Sequence, residues 1–247
     1  MSHVQTADTL GAGRFQFAIE PGALGAAVLG GDSDAAGVVM PHFDMALRYG
    51  VSERVDVGAR VGFSLAELQT KVLLTQPGDP DLAISLAPSI SGASIRIGEA
   101  EREDEGVSTR YVNVALPLLV GFKTNGGSEL VLGPRLIYTR FGGVNILSAG
   151  GSLGYAFRVT DRFRLMPEVG ISFPLAGKVD GSDSDFAAGF NGGFAQFKLG
   201  FLFGAGRPIR RNTDAIPSDY VEETDRQEGR SDDVYRASER GDDDIDY

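Results

Sequence analysis

Apolar and polar residues alternate along much of this chain, most regularly between Val39 and Tyr49. One series of alternate positions is apolar and comprises Val39, Pro41, Phe43, Met45, Leu47 and Tyr49, and the other is mixed and comprises Met40, His42, Asp44, Ala46 and Arg48. A repeat of two residues predicts a β-strand whose two faces meet different surroundings. Beyond a short polar turn near Ser52 and Glu53 the alternation resumes as far as Leu65, which predicts a β-hairpin.

The same alternation recurs as far as Phe203 and, with a weaker strand near residues 67–76, predicts about ten strands within a range of eight to twelve. Short connections at 51–53, 76–80, 124–127 and 159–162 take turns with mostly longer ones at 30–36, 94–108 and 175–188. Short turns at one end and long loops at the other are typical of an up-and-down barrel that spans a membrane. Prolines 41, 88, 134 and 167 fall inside predicted strands and lack a ladder donor, so we expect bulges or bends there.

Alternation alone leaves open which face of the strands meets water, because a soluble sandwich or barrel alternates as well. A soluble outer face usually carries Lys, Glu and Thr, whereas the polar positions here are largely Gly, Ala and Ser with scattered charges. Aromatic residues fall near predicted strand ends, where membrane barrels carry aromatic girdles: Tyr49, Phe63, Phe122, Tyr138, Phe173 and Phe203. We therefore predict an all-β, closed antiparallel up-and-down transmembrane β-barrel, and keep a soluble β-barrel ligand carrier as an alternative.

Composition excludes several other classes of protein. No window holds 18 uncharged apolar residues, so a membrane-spanning helix is not expected. The chain has no Cys and two His, which leaves no disulfide or thiolate metal site and little for zinc. Residues 213–247 hold 13 acidic residues against 4 Arg, a net charge of -9 out of the total of -11. The remaining chain is near neutral, so nucleic acid is not an expected partner.

The chain divides into three predicted parts. Residues 1–12 form an N-terminal periplasmic segment, residues 13–205 the barrel, and residues 206–247 an acidic tail. The tail has too few apolar residues to offset the entropy of ordering, so we expect it to be disordered unless a basic periplasmic protein binds it. An exported protein is made with a signal peptide, which the start of this sequence does not resemble, so export requires that a signal has been removed.

The final strand, Phe197-Lys198-Leu199-Gly200-Phe201-Leu202-Phe203, resembles the aromatic-ended last strand of outer-membrane barrels, and residues 13–203 resemble the small OmpA- or OmpW-like barrels. The resemblance implies that Phe197, Gly200, Phe201 and Phe203 form a signal for the barrel-insertion machinery. It also implies an outer-membrane location in contact with lipid and lipopolysaccharide, and an even strand number places both termini in the periplasm. The chain departs from the pattern by continuing well past Phe203.

If the polar face points inward, it brings a set of charged residues into the lumen. The predicted network comprises Arg14, Glu20, Asp44, Arg48, Asp56, Arg60, Arg135, Arg158, Arg164 and Glu168, together with His42, Lys71, Lys123 and Lys198. A barrel of eight to ten strands is barely wide enough for its own side chains, so ion pairs are expected to plug it. The predicted function is a narrow porin-like channel or a structural anchor in an envelope assembly, without a cofactor and without enzymatic activity.

Two weaker chemical hypotheses remain open. His42 and Asp44 share a strand face and could serve as the acid–base pair of an outer-membrane hydrolase or lipid-modifying enzyme, although no second His or evident Ser nucleophile accompanies them. Asp180, Asp183 and Asp185 cluster carboxylates of the kind that hold Ca²⁺ or Mg²⁺, as does the loop 98–106. Neither stretch has a complete calcium-loop pattern, so solvated loops are the preferred interpretation.

Overall fold

A computed structural model describes residues 4–28, 37–62, 65–97, 107–180, 185–186 and 192–204. The described residues form strands and turns only. In chain order the strands are β1 (Phe15–Val28), β2 (Gly37–Gly50), β3 (Val55–Gly62), β4 (Ala66–Leu73), β5 (Leu82–Leu86), β6 (Ser89–Ile97), β7 (Val107–Lys123), β8 (Glu129–Leu132), β9 (Arg135–Phe141), β10 (Val144–Thr160), β11 (Phe163–Val179), β12 (Asp185–Phe186) and β13 (Gly192–Gly204).

The strands close into a ring in which every pairing is antiparallel. The first and last strands meet, because β1 pairs with β2 on one side and with β13 on the other. On its other side, β13 pairs with β11. β5 and β6 together occupy one position between β4 and β7, and β8 and β9 together occupy one position between β7 and β10. β12 is a two-residue strand that pairs with β11. The described ring therefore has ten spanning strands, as the alternation predicted.

The four prolines inside predicted strands behave in two ways. Pro88 separates β5 from β6, and Pro134 separates β8 from β9. Both proline carbonyls still accept main-chain hydrogen bonds, from Thr70 N at 3.0 Å and from Leu118 N at 2.9 Å. Pro41 and Pro167 instead remain within β2 and β11. The expected interruption of the strand thus occurs at two of the four prolines.

The two faces of the wall are opposite to those of a soluble barrel. On β2, Met45 and Leu47 point outward and are exposed, whereas Asp44, Ala46 and Arg48 point inward and are buried. The same holds around the ring, where large aliphatic and aromatic side chains cover the outside and many of the buried apolar residues are alanines. The alternation of β2 therefore predicted both faces correctly, and the buried apolar cluster inside is small, with Leu73, Leu119, Met166 and Leu202 among its larger members.

Aromatic side chains gather at the end of the ring where the chain enters β1 and leaves β13. Phe15 lies against Tyr49 with ring centroids 4.6 Å apart, and Phe203 lies between Phe163 at 5.0 Å and Phe17 at 6.5 Å. Such a belt is typical of the interface between a membrane and water. This end also carries the short connections 51–54, 74–81, 124–128 and 161–162, and we call it the turn end.

The chain enters the barrel in a way that the sequence analysis did not anticipate. Residues 4–10, which we call the N-terminal segment, lie inside the ring near its turn end and are buried except for Asp8, which is half-buried. The predicted acidic tail, 206–247, lies outside the described residues, as do Phe63 and the acidic loop 98–106. Within the described ranges no helix is long and apolar enough to cross a membrane.

Candidate functional site

Six charged side chains meet in the middle of the lumen, and we call them the central cluster: Glu20, Asp44, Arg48, Arg60, Glu67 and Lys198. They come from β13, β1, β2, β3 and β4, which are consecutive around the ring. The register of the ladders brings them together, because Glu20 lies opposite Asp44 and Arg60 lies opposite Glu67. Each occupies an inward position of its strand and is buried.

Glu20 is the centre of this cluster. Its carboxylate accepts hydrogen bonds from Arg48 Nη2, Arg60 Nη1 and Lys198 Nζ, each at 3.3 Å. Lys198 Nζ also donates to Asp44 Oδ2 at 2.7 Å, and Arg60 Nη2 donates to Glu67 Oε2 at 2.5 Å. Every one of these bonds joins side chains of different strands.

The cluster balances three acidic groups against three basic ones. Buried charges lose the hydration that water would supply, and mutual attraction offsets that loss only when the ions are paired and hydrogen-bonded. Glu20 and Lys198 are 0% exposed, so their pairing is essential to keeping them charged inside the wall. The consequence is a network of ion pairs that joins five adjacent strands on the inner side of the wall.

The N-terminal segment is held by a second group of inward side chains nearer the turn end. Among its carbonyls, Val4 O accepts from Arg48 Nη2 at 2.9 Å, while Lys71 Nζ donates to Thr6 O at 3.2 Å and to Asp8 O at 2.7 Å. The hydroxyl of Ser85 donates to the carbonyl of Ala7. These contacts come from β2, β4 and β5, so several strands hold the segment at once.

The amides of the segment are bound by carboxylates. Ala7 N donates to Glu129 Oε1 at 2.7 Å, and Leu10 N donates to both oxygens of Asp56 at 3.1 Å. Asp56 Oδ2 also lies 3.1 Å from Lys71 Nζ, so acid and base share this end of the lumen. The side chain of Asp8 pairs with Lys123, whose Nζ donates to Asp8 Oδ2 at 2.7 Å.

Of the remaining residues of the predicted network, Glu168 borders the central cluster, because it lies opposite Lys198 in the ladder between β11 and β13. Arg135 and Glu168 are buried inward residues of β9 and β11, and Arg135 Nη2 donates to the carbonyl of Gly151 at 3.4 Å. Arg164 Nη1 lies 3.9 Å from Glu129 Oε2. Arg158 pairs with Asp161 in the turn after β10. Arg14 precedes β1 and is half-buried.

His42 and Asp44 do not form a tight acid–base pair. His42 Nε2 lies 3.9 Å from Asp44 Oδ2, which is beyond hydrogen-bond distance, and 3.1 Å from the amide nitrogen of Gln196. The carboxylate of Asp44 is instead directed to Lys198. The imidazole is therefore positioned by an amide rather than by a carboxylate.

Of the three carboxylates proposed as weak metal ligands, the structure describes the side chain of Asp180. Asp180 accepts hydrogen bonds from Arg140 Nη2 at 3.0 Å and from Asn145 Nδ2 at 2.9 Å. Asp183 lies outside the described residues, and for Asp185 the structure describes the backbone pairing with Lys178. No group of three potential metal ligands occurs among the described residues.

The four residues of the predicted insertion signal divide between the two faces of β13. Phe197 and Phe203 are exposed on the outside, and Phe201 is half-buried. Gly200 points inward, where a Cβ would overlap Cγ1 of Val4. Its small size is thus explained by the N-terminal segment.

Sequence reasoning missed three charged residues of the lumen. Glu67 shares the inward face of β4 with Lys71, and Glu129 of β8 falls in the same series of alternate positions as Arg135 of β9, so extending the two-residue alternation would have found both. Asp8 precedes the first strand and lies in no periodic pattern, so no signal in the sequence marks it as a lumen residue.

Together these features define the chain as a closed antiparallel β-barrel, apolar outside and ion-paired inside. No family model matches the sequence, and no curated protein matches it. Its structure is similar to an outer-membrane channel of Pseudomonas putida F1, with 12% identity, a TM-score of 0.46 and coverage of 83% of this chain and 100% of that chain. It is also similar to the translocator domain of autotransporter NalP from Neisseria meningitidis, with 13% identity, a TM-score of 0.42 and coverage of 80% and 90%. It is similar as well to the outer-membrane protease OmpT from Escherichia coli, with 9% identity, a TM-score of 0.39 and coverage of 81% of this chain and 100% of that chain.

Proposed function

We propose that this chain is an outer-membrane β-barrel that acts as a structural anchor, with a lumen closed by the central cluster and by the N-terminal segment. The observation that carries the proposal is the inside-out distribution of side chains on a closed ring. Leu47 and Leu116 are about half exposed on the outside, whereas Glu20 and Lys198 are fully buried inside. Only a membrane offers the outer face an apolar surrounding while the closed ring satisfies the backbone.

The dimensions of the strands agree with a bilayer. A spanning strand needs about 9–11 residues, and β7, β10 and β11 have 17 each. The surplus length carries the strands beyond the hydrocarbon layer at the end opposite the turn end. By analogy with barrels whose short turns are periplasmic, the turn end faces the periplasm, with lipid and lipopolysaccharide around the apolar belt.

The contents of the lumen favour an anchor over a conducting pore and over an enzyme. The central cluster places paired charges from five adjacent strands in the lumen, and the buried N-terminal segment lies nearer its turn end. A catalytic role for His42 would call for an orienting carboxylate, and the nearest oxygen of Asp44 is directed to Lys198. We therefore propose no reaction for this site.

Refolding from denaturant with and without detergent tests the membrane assignment. We expect folding only in detergent or bilayer, with a compact form that migrates differently on unheated and heated gels. Leu116→Arg should lower the free energy of unfolding in a bilayer by about 2–4 kcal/mol, because it places a charge in the hydrocarbon layer. Asn125→Arg, in an exposed turn, is the matched control and should change little. A monomer that folds in plain buffer would contradict the membrane assignment.

Planar-bilayer recording tests the closed lumen. We expect the folded protein to insert without steady conductance, because the central cluster and the N-terminal segment occupy space within the lumen. Steady conductance by the full-length chain would contradict the anchor and support the narrow porin-like channel instead.

A further inference from the structure

The N-terminal segment is bound like a ligand rather than like a strand. Residues 4–10 have no strand conformation, yet Val4 and Ala7 are 0% exposed. Irregular backbone buried away from water is costly unless its amides and carbonyls find partners. Side chains from β2, β3, β4, β5 and β8 supply those partners, as described above. Recognition through main-chain groups is how proteins commonly hold extended peptides.

The wall is also shaped to receive this segment. A Cβ on Gly200 would overlap Cγ1 of Val4, and a Cβ on Gly121 would lie 2.8 Å from the Cβ of Ala7. Both glycines point inward. A larger residue at Gly200 would meet the segment first, whereas a Cβ on Gly121 would meet both Glu129 Oε1, which binds the amide of Ala7, and Ala7 itself.

An ion pair fixes the register of the segment within the site. Asp8 is the acidic residue of the segment, and its carboxylate meets Lys123 Nζ at 2.7 Å, with both side chains largely shielded from water. A partly buried ion pair at one position fixes the register in which an extended peptide can lie, because a shift by one residue would separate the two charges.

We propose that the turn-end half of the lumen is a binding site for an extended peptide, with a β-branched apolar side chain at position 4, a small one at position 7 and a carboxylate at position 8. The N-terminal segment occupies this site as a covalently attached ligand. Its contacts hold it there independently of its connection to β1. The inference rests on the proposed function only in that the barrel is studied in a membrane mimetic.

Cutting the connection tests the proposal on the folded protein. Ala12 and Gly13 are exposed, so a specific protease site inserted between them can be cleaved after folding in detergent. We expect the released fragment to remain with the barrel through gel filtration, or a labelled peptide of residues 1–12 to bind the emptied barrel. A peptide of the same composition in scrambled order is the control. Loss of the fragment without binding of the labelled peptide, or equal binding of the scrambled peptide, would overturn the proposal.

A double-mutant cycle tests the register. A labelled peptide with Asp8→Asn should bind the emptied barrel about tenfold more weakly than the natural peptide, the size of one charge-assisted hydrogen bond. On a Lys123→Gln barrel the two peptides should bind equally. Equal weakening on both barrels would place position 8 away from Lys123 and contradict the site as described.

These measurements separate this inference from the proposed function. Conductance and the need for detergent report on the membrane anchor, whereas peptide binding is read directly from the labelled peptide. If the barrel conducts and still retains the cleaved segment, the anchor hypothesis is contradicted and the peptide site is supported.

Discussion

The central cluster and the side chains that hold the N-terminal segment occupy one lumen, but they join different parts of the molecule. In the central cluster, side chains of neighbouring strands pair with each other, as Glu20 does with Lys198. Near the turn end, wall side chains bind main-chain groups of a segment outside the ladder, as Glu129 does with Ala7 N. The first group holds the wall together, whereas the second holds something inside it.

The difference teaches that filling a lumen and stabilising a barrel are separate tasks. Arg48 takes part in both, because it donates to Glu20 at 3.3 Å and to the carbonyl of Val4 at 2.9 Å. Elsewhere the two sets of contacts use different residues. Substitutions should therefore affect the wall or the segment selectively.

The largest effect is expected at Glu20. Glu20→Ala leaves Arg48, Arg60 and Lys198 without their shared acceptor, and breaking a buried ion pair from one side typically costs about 3–5 kcal/mol. Urea unfolding in detergent should show a loss of that size. Asp161→Asn, at an exposed turn, serves as the control and should change the free energy of unfolding by less than about 0.5 kcal/mol. A loss as small as that of the control would mean that the cluster does not stabilise the wall.

A smaller and more local effect is expected at Gly200. Gly200→Ala introduces a Cβ that overlaps Val4, and overpacking of this kind typically costs about 1–3 kcal/mol. The cost should appear as faster loss of the cleaved N-terminal segment, with little change in the unfolding of the emptied barrel. Gly126→Ala, whose Cβ would have Thr124 Oγ1 as nearest neighbour at 4.0 Å, should leave both unchanged. Equal losses in the filled and emptied barrels would contradict the separation of wall and segment.

The smallest effect is expected in the turn before β5, where the carbonyl of Asp79 accepts a hydrogen bond from Lys123 Nζ at 2.6 Å. Amides of Leu82 and Asp81 donate to the carboxylate of Asp79 at 3.0 and 2.9 Å and lower its pKa. Because the pKa of Asp79 is lowered in the folded state, its ionised carboxylate stabilises the fold at pH values above the pKa of this group in the unfolded chain. This stabilisation is lost as pH falls through the folded-state pKa. Asp79→Asn should thus slightly weaken the barrel at neutral pH and match the wild type in acid. A difference between the two proteins that does not change with pH would contradict this account.

Much of the wall could be predicted from the sequence because alternate residues of a strand lie on its two opposite faces. Asp44, Arg48 and Arg60 follow this alternation, and the structure places them inside. Glu67 and Glu129 follow it too and were overlooked at the starts of their strands. The alternation also led to the ring of ten strands, whereas the interruptions at Pro88 and Pro134 depend on which ladder positions need a donor.

The N-terminal segment could not be predicted in the same way. Its contacts are made largely by main-chain groups, which every residue possesses, so neither Thr6 nor Ala7 carries a sequence signal for its position. The glycines that make room for it, Gly121 and Gly200, look like many other glycines of the barrel until the segment is seen beside them. Recognition by backbone leaves little trace in composition or periodicity.

The position of the segment has a consequence for the order in which the polypeptide takes its final shape. Ala7 is synthesised before every strand, yet its amide bonds to Glu129, which lies 122 residues later, and Lys71 lies 65 residues after Thr6. The ring closes only when β13 pairs with β1. Residues 4–10 must therefore wait for most of the barrel to be made, and they either are enclosed as the last seam forms or enter afterwards through the turn end.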